Sequence, residues 1–175
     1  MSITINGNGT ITGFEGNSGS VIQVKQSVKK DVFTATVSSG GVSGDITGLT
    51  VTITPSNANN KMLLVPSVSG SDYVRNLFIY KDGSLLSDAI GDASGSLQRV
   101  AFGQNVNSVS SGTFGGMYLD TAGGTSAITY SLRAGTSYAS QVDLFINRVQ
   151  DADETHSSYV MGRYISTFTV MEIKA

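Results

Sequence analysis

The sequence predicts an all-β fold: an antiparallel β-sandwich, jelly-roll-like, preceded by a short N-terminal arm. Three observations predict it. Apolar and polar residues alternate with period two in one segment after another, the pattern of a strand with one buried face. Gly, Asn, Asp and Ser clusters separate these segments at roughly eight- to twelve-residue spacing, as in sandwiches and barrels. No segment sustains a helical period long enough to compete. A chain of 175 residues is one domain of ordinary size, and burying about 70% of its unfolded surface gives it a core without staples.

Residues 1–20 form the arm and its linker. Ile3, Ile5, Ile11 and Phe14 are its apolar residues, and Asn6-Gly7-Asn8-Gly9 between two Ile-Thr pairs is hairpin chemistry. Two strands this short are not stable alone, so the arm is expected to order by docking, as an attachment segment. Gly16-Asn17-Ser18-Gly19-Ser20 is the linker.

The sandwich spans 21–175. Strands are expected at Val21 to Gln26 and Asp31 to Val37, where Phe33, Ala35 and Val37 share a face. Ser38-Ser39-Gly40-Gly41 then breaks the chain. From Gly48 to Gly83 lies the strongest unit. Leu49, Val51 and Ile53 alternate with Thr50, Thr52 and Thr54, and Pro55 ends the strand because it cannot donate to a ladder. Lys61 to Val65 is apolar on both faces and is expected inside a sheet, and Val74 to Tyr80 closes on the turn Lys81-Asp82-Gly83. Further strands are expected at Arg99 to Phe102, Thr113 to Asp120, Ala127 to Arg133, Val142 to Arg148 and Tyr164 to Ile173. In the last, Phe168 and Val170 face opposite to Ile165, Met171 and Ile173. Gln104 to Ser111 and Gln150 to Ser158 are polar loops.

Composition narrows the function. With 0 Cys there are neither disulfides nor thiolate metal sites. A net charge of −2 and no basic stripe argue against nucleic-acid binding. Apolar runs of four or five residues fall far short of the ~20 of a membrane span. The N-terminus shows neither the basic region nor the apolar core of a signal peptide.

Several segments, taken in order, resemble the C-terminal domain of cyanophage and marine-phage tail-fibre-like virion proteins. They include Val21-Ile22-Gln23-Val24, Lys30-Asp31-Val32-Phe33-Thr34, Thr47-Gly48-Leu49-Thr50-Val51-Thr52-Ile53-Thr54-Pro55 and Asn60-Lys61-Met62-Leu63-Leu64-Val65. They continue with Tyr80-Lys81-Asp82-Gly83, Tyr118-Leu119-Asp120, Ser126-Ala127-Ile128-Thr129-Tyr130, Phe145-Ile146-Asn147-Arg148 and Thr169-Val170-Met171-Glu172-Ile173. The resemblance covers about residues 21 to 173 and implies a non-enzymatic virion component, a homotrimer displayed on the particle and often used for host attachment. Other virion proteins would hold it through the arm, and host surface glycan or protein would be its partner. The short lead before the domain favours a short tail fibre or receptor-binding tip acting by multivalent adhesion. A capsid or tail decoration (cement) protein is the alternative, and a glycan-degrading spike the second.

No cofactor site is expected. The lone His156 sits in Asp151-Ala152-Asp153-Glu154-Thr155-His156, with no G-x-S-x-G elbow nearby, and reads as a surface-loop residue. Asp151, Asp153 and Glu154 are the best oxygen-ligand set for a hard cation, but they lack EF-hand offsets, and a solvated turn is the competing reading. Tyr73, Tyr138 and Tyr159 lie in or beside polar loops and are the candidates for receptor contact, by stacking on a sugar face. Packing over a loop or at a subunit rim is the weightier reading of those rings. Any function beyond scaffold is expected in the loops around Ser71 to Tyr73, Gln104 to Ser111 and Gln150 to Tyr159.

Overall fold

A computed structural model describes residues 4–5, 11–12, 18–71, 73–104, 111–149 and 162–175, with side chains from residue 18 onward. Its strands are β1 (Thr4–Ile5), β2 (Ile11–Thr12), β3 (Val21–Lys29), β4 (Phe33–Val37), β5 (Val42–Ile53), β6 (Lys61–Ser71) and β7 (Asn76–Lys81). They continue with β8 (Ser84–Leu85), β9 (Phe102–Gly103), β10 (Ser111–Gly115), β11 (Tyr118–Thr121), β12 (Ile128–Gly135), β13 (Val142–Ile146) and β14 (Ser166–Ile173). A single 3-10 turn, Ser87–Ala89, is the only helical element among the described residues.

Two antiparallel sheets pack face to face. The first has seven strands, with β3, β14 and β6 side by side, β10 and β11 on the far side of β6, and β13 and β4 continuing from the C-terminal end of β6. The second has five, in the order β5, β12, β7, with β8 and β9 both beside β7. The chain switches sheets from β4 to β5, β5 to β6, β6 to β7, β9 to β10, β11 to β12 and β12 to β13. The resulting orders, β3-β14-β6-β10/β11 over β5-β12-β7-β8/β9, are jelly-roll wiring. The unit from Gly48 to Gly83 therefore spans both layers rather than lying in one.

The predicted alternation sets the core. Leu49, Val51 and Ile53 from β5 and Ile128, Tyr130 and Leu132 from β12 meet Met62, Leu64, Phe168, Val170, Leu144 and Ile146 from the first sheet, all buried. β6 is interior as expected, bonded on both edges. The turn Lys81-Asp82-Gly83 joins β7 to β8 with φ of 50° at Asp82 and 79° at Gly83. Two successive positive φ values are what a type I′ hairpin turn needs, and Asp-Gly supplies them at least strain.

Several expected boundaries are corrected. β5 begins at Val42, because Gly44 and Gly48 lie within the strand instead of ending it. β6 runs on through Pro66 to Ser71. Proline is tolerated there because the ladder on that edge lapses between Gly115 and Tyr118, opposite the missing N–H. That lapse also splits the expected Thr113 to Asp120 strand into β10 and β11. Gly115 crosses Pro66 so closely that a Cβ would stand 2.0 Å from the Pro66 carbonyl oxygen. Near Arg99 to Phe102, only Phe102–Gly103 pairs. β13 stops at Ile146, because Asn147 turns left-handed at φ 65°.

β1 and β2 pair only with each other, Ile5 opposite Ile11. Ile3 and Phe14 lie outside the described residues.

Candidate functional site

The C-terminal end of β6 gathers the turns that sequence patterning marked as loops. β6 ends at Ser71, Val74 N–H donates to the Ser71 carbonyl (2.9 Å), and the chain crosses to the second sheet through Tyr73 and Arg75. Arg75 N–H donates to the Gly135 carbonyl at 3.1 Å, tying this crossing to the end of β12. Tyr138 follows in the next turn, where its N–H donates to Thr136 Oγ1 (3.1 Å) and its carbonyl accepts from Gly40 N–H (3.0 Å). Neither Tyr is in a strand, so each ring can leave the sheet plane.

The rings of Tyr73 and Tyr138 meet edge to face, centroids 5.1 Å apart and planes at 61°. Such a pair is worth about 0.5–1.5 kcal/mol beyond its buried area. The Arg75 guanidinium lies 5.8 Å from the Tyr138 centroid, within cation–π range. Tyr73 is half-buried against the core, whereas Tyr138 is 41% exposed and presents its ring to solvent.

Shallow depressions flank this platform. One, of about 500 Å³, is lined by Arg75, Asn76, Gly103, Gln104 and Ser137. Another, of about 270 Å³, is lined by Tyr73, Gln141, Val142 and Asp143. Side chains hold their walls. Gln104 Nε2 donates to the Val74 carbonyl at 2.6 Å, and Gln104 N–H to the Arg75 carbonyl at 2.8 Å. Asn76 Nδ2 donates to Gln98 Oε1 (2.5 Å), whose amide donates onward to the Gly40 carbonyl (3.0 Å). Four turns of the sandwich are thus cross-linked by polar bonds, the preorganisation a recognition surface needs.

The same end carries the residues that flank 105–110 and 150–161. Gln104 and Ser111 flank residues 105–110, and Ser111 pairs with Ser71. Val149 and Gly162 flank 150–161, and Tyr164 N–H donates to the Asn147 carbonyl (3.2 Å) while Asn147 N–H donates to the Ser69 carbonyl (2.8 Å). Buried Asn147 anchors this end. Its Nδ2 donates to the Lys29 and Asp31 carbonyls (2.9 and 3.0 Å), and its Oδ1 accepts from Ser166 Oγ (2.6 Å).

Of the sequence candidates, Tyr73 and Tyr138 are brought together. Tyr159, His156, Asp151, Asp153 and Glu154 lie outside the described residues. Among the described residues no group of three or more His, Asp or Glu is placed to hold a metal ion, and no helix is long and apolar enough to cross a membrane. The scattered cations mostly find intrachain work. Arg133 Nε donates to Asp45 Oδ1 (2.6 Å) with its guanidinium 3.7 Å over Tyr80, Arg99 Nε donates to the Gly91 carbonyl, and Lys81 Nζ pairs with Asp120. Asp120 also accepts from the Tyr130 hydroxyl at 2.6 Å, bridging the two layers; burial, then this bond, push the Tyr130 phenol far above its ordinary range. Asn76, Gln98, Ser137 and Gln141 carried no sequence signal, because a polar residue in a turn looks alike whether it lines a cleft or faces water.

No protein-family model matches the chain, and comparison with curated proteins finds no match.

Proposed function

We propose that this chain is a virion surface component of a phage, a short fibre or receptor-binding tip that holds the host cell through the loop end of its sandwich. One observation carries the binding reading: an edge-to-face pair of Tyr rings beside Arg75, one ring presented to solvent, between two polar-lined depressions. Tyr with Asn, Gln and Ser gives contact area and adaptable hydrogen bonding at few torsions, which suits a hydroxyl-rich ligand such as a surface glycan. The phage assignment is supported by the collinear segments from Val21 to Ile173. Each such site would bind weakly, and several copies on one particle would make attachment firm.

Purified protein applied to an array of bacterial surface polysaccharides, and to host cells, is expected to bind at least one and to block infection. Absence of binding, together with capsid localisation by electron microscopy, would instead support the cement reading. Release of oligosaccharides from a bound polysaccharide would support the spike.

A further inference from the structure

The outer face of an exposed antiparallel sheet is normally polar, because alternate residues face water. The outer face of the seven-stranded sheet departs from this rule. Register sets Val24 of β3 opposite Met171 of β14, Met171 opposite Leu63 of β6, and Leu63 opposite Leu119 of β11. This is an unbroken apolar row across four strands. Beside it, Gly115 opposite Ser67 and Tyr118 opposite Leu64 keep one register across the lapse, which places Met117 level with Val65. Val24, Leu119 and Met117 are 53%, 50% and 72% exposed.

We propose that this face is where a second copy of the chain binds, sheet against sheet. Charge favours a copy of itself over a partner read by charge. Along the outward positions of β3, β14, β6 and β11, Lys61 is the single charged residue, and its Nζ already bonds Thr121 Oγ1 at 2.8 Å. The face therefore carries one ammonium per copy, at the first residue of β6, and no other charge. Area suffices as well. Four strands about 4.8 Å apart and eight residues at about 3.3 Å each span about 19 by 26 Å. Two such faces cover about 1,000 Å² before side-chain relief is counted, the floor for a specific interface. Sheets stack about 10 Å apart with strands roughly aligned, so no backbone change is required. A patch that binds its own copy is isologous and closes as a two-fold dimer. The three-fold assembly implied by the resemblance is a different arrangement, and it leaves this face unmated with itself.

Sedimentation equilibrium of the full chain over a concentration series tests the proposal, with the double substitution Val24→Lys and Leu119→Lys. The wild type is expected at twice 18.2 kDa. The double variant is expected to dissociate about 100-fold more readily or worse, since each Lys is buried unpaired in both copies. Circular dichroism verifies its fold. If it fails to fold, Met117→Lys, which lies in the lapse between β10 and β11, replaces it with the same expectation. Leu97→Lys, exposed but outside the seven-stranded sheet, should leave the dimer intact. A wild-type monomer at all concentrations, a trimer, or a dimer unaffected by the substitutions overturns the proposal.

Discussion

Glu172 is the only carboxylate buried in the core, at 1% exposure among the described residues, and removing it should be costly. It sits on β14, opposite Met62 of β6 and Gln23 of β3. Its Oε1 accepts from Ser56 N–H (2.7 Å), Ser56 Oγ (2.8 Å) and Asn60 Nδ2 (2.7 Å), and its Oε2 accepts from Gln23 Nε2 (3.2 Å). The loop after β5 is thereby clasped to the first sheet. Glu172→Ala would leave the buried Asn60 amide without its carboxylate acceptor, while Ser56 is exposed and can turn to water. Orphaning a buried donor costs about 1–3 kcal/mol, so a loss of about 2 kcal/mol is expected. At this chain length that lowers Tm by about 4–8 °C. Glu172→Gln keeps the shape and one acceptor and should lose about 1–2 kcal/mol. Burial alone would raise the Glu172 carboxyl, but the Asn60 and Ser56 bonds outweigh it and hold the group below its ordinary 4.5. The unfolded chain therefore takes up the proton first. The stabilisation is fully present above about pH 4.5 and is lost as pH falls through the lower folded value. Calorimetry of wild type and Glu172→Gln between pH 7 and 3 should show the Tm gap closing on the acid side. A gap independent of pH, or Glu172→Ala as stable as wild type, would refute this account of the clasp.

Three further outcomes are expected. Asn147→Ala loses two donors to the Lys29 and Asp31 carbonyls and puts a residue without local side-chain bonds at φ 65°, for about 3 kcal/mol by urea denaturation, and Asn147→Asp should lose at least as much, because it keeps the Ser166 acceptor but sets a buried carboxylate oxygen against those two carbonyls. Tyr130→Phe removes the bond to Asp120 and should lose about 1–2 kcal/mol near neutral pH. Because the folded phenol is raised above its ordinary 10.0, its stabilisation is present below pH 10 and lost as pH rises beyond it, so wild type and variant should converge in alkaline melts. Removing residues 1–17 should leave the sandwich folded with Tm nearly unchanged by calorimetry, since among the described residues β1 and β2 pair as strands only with each other.

Alternation made most of the fold legible. It sorted Leu49, Val51 and Ile53, Ile128, Tyr130 and Leu132, and Phe168 and Val170 onto buried faces, because side chains in a strand must point to opposite sides. Punctuation was less reliable. The expected strands stopped short of Gly44, Gly48 and Pro66, yet a long strand tolerates them where its neighbour imposes no ladder bond or side chain. Outward Leu63 and Val65 were legible only as membership of an interior strand, and what stands outside them is not written in the pattern. At the candidate site, Tyr73 and Tyr138 stood out as aromatic residues in polar turns. Their contact across 65 residues, and the Gln98–Asn76 and Gln104–Val74 bonds that frame it, depend on the jelly-roll crossings, which no local pattern encodes.

The proposed function places host binding on the Tyr platform at the loop end. Binding of the wild type, Tyr138→Phe and Tyr138→Ala to the polysaccharide captured on the array tests it most directly. Tyr138 is exposed, so the Ala variant gives up its edge-to-face contact with Tyr73 and its cation–π contact with Arg75, about 1–2 kcal/mol together, and stays folded. Tyr138→Phe should bind within a few-fold of wild type and Tyr138→Ala about tenfold more weakly, a difference of about 1.4 kcal/mol. Equal binding by all three proteins would contradict the claim.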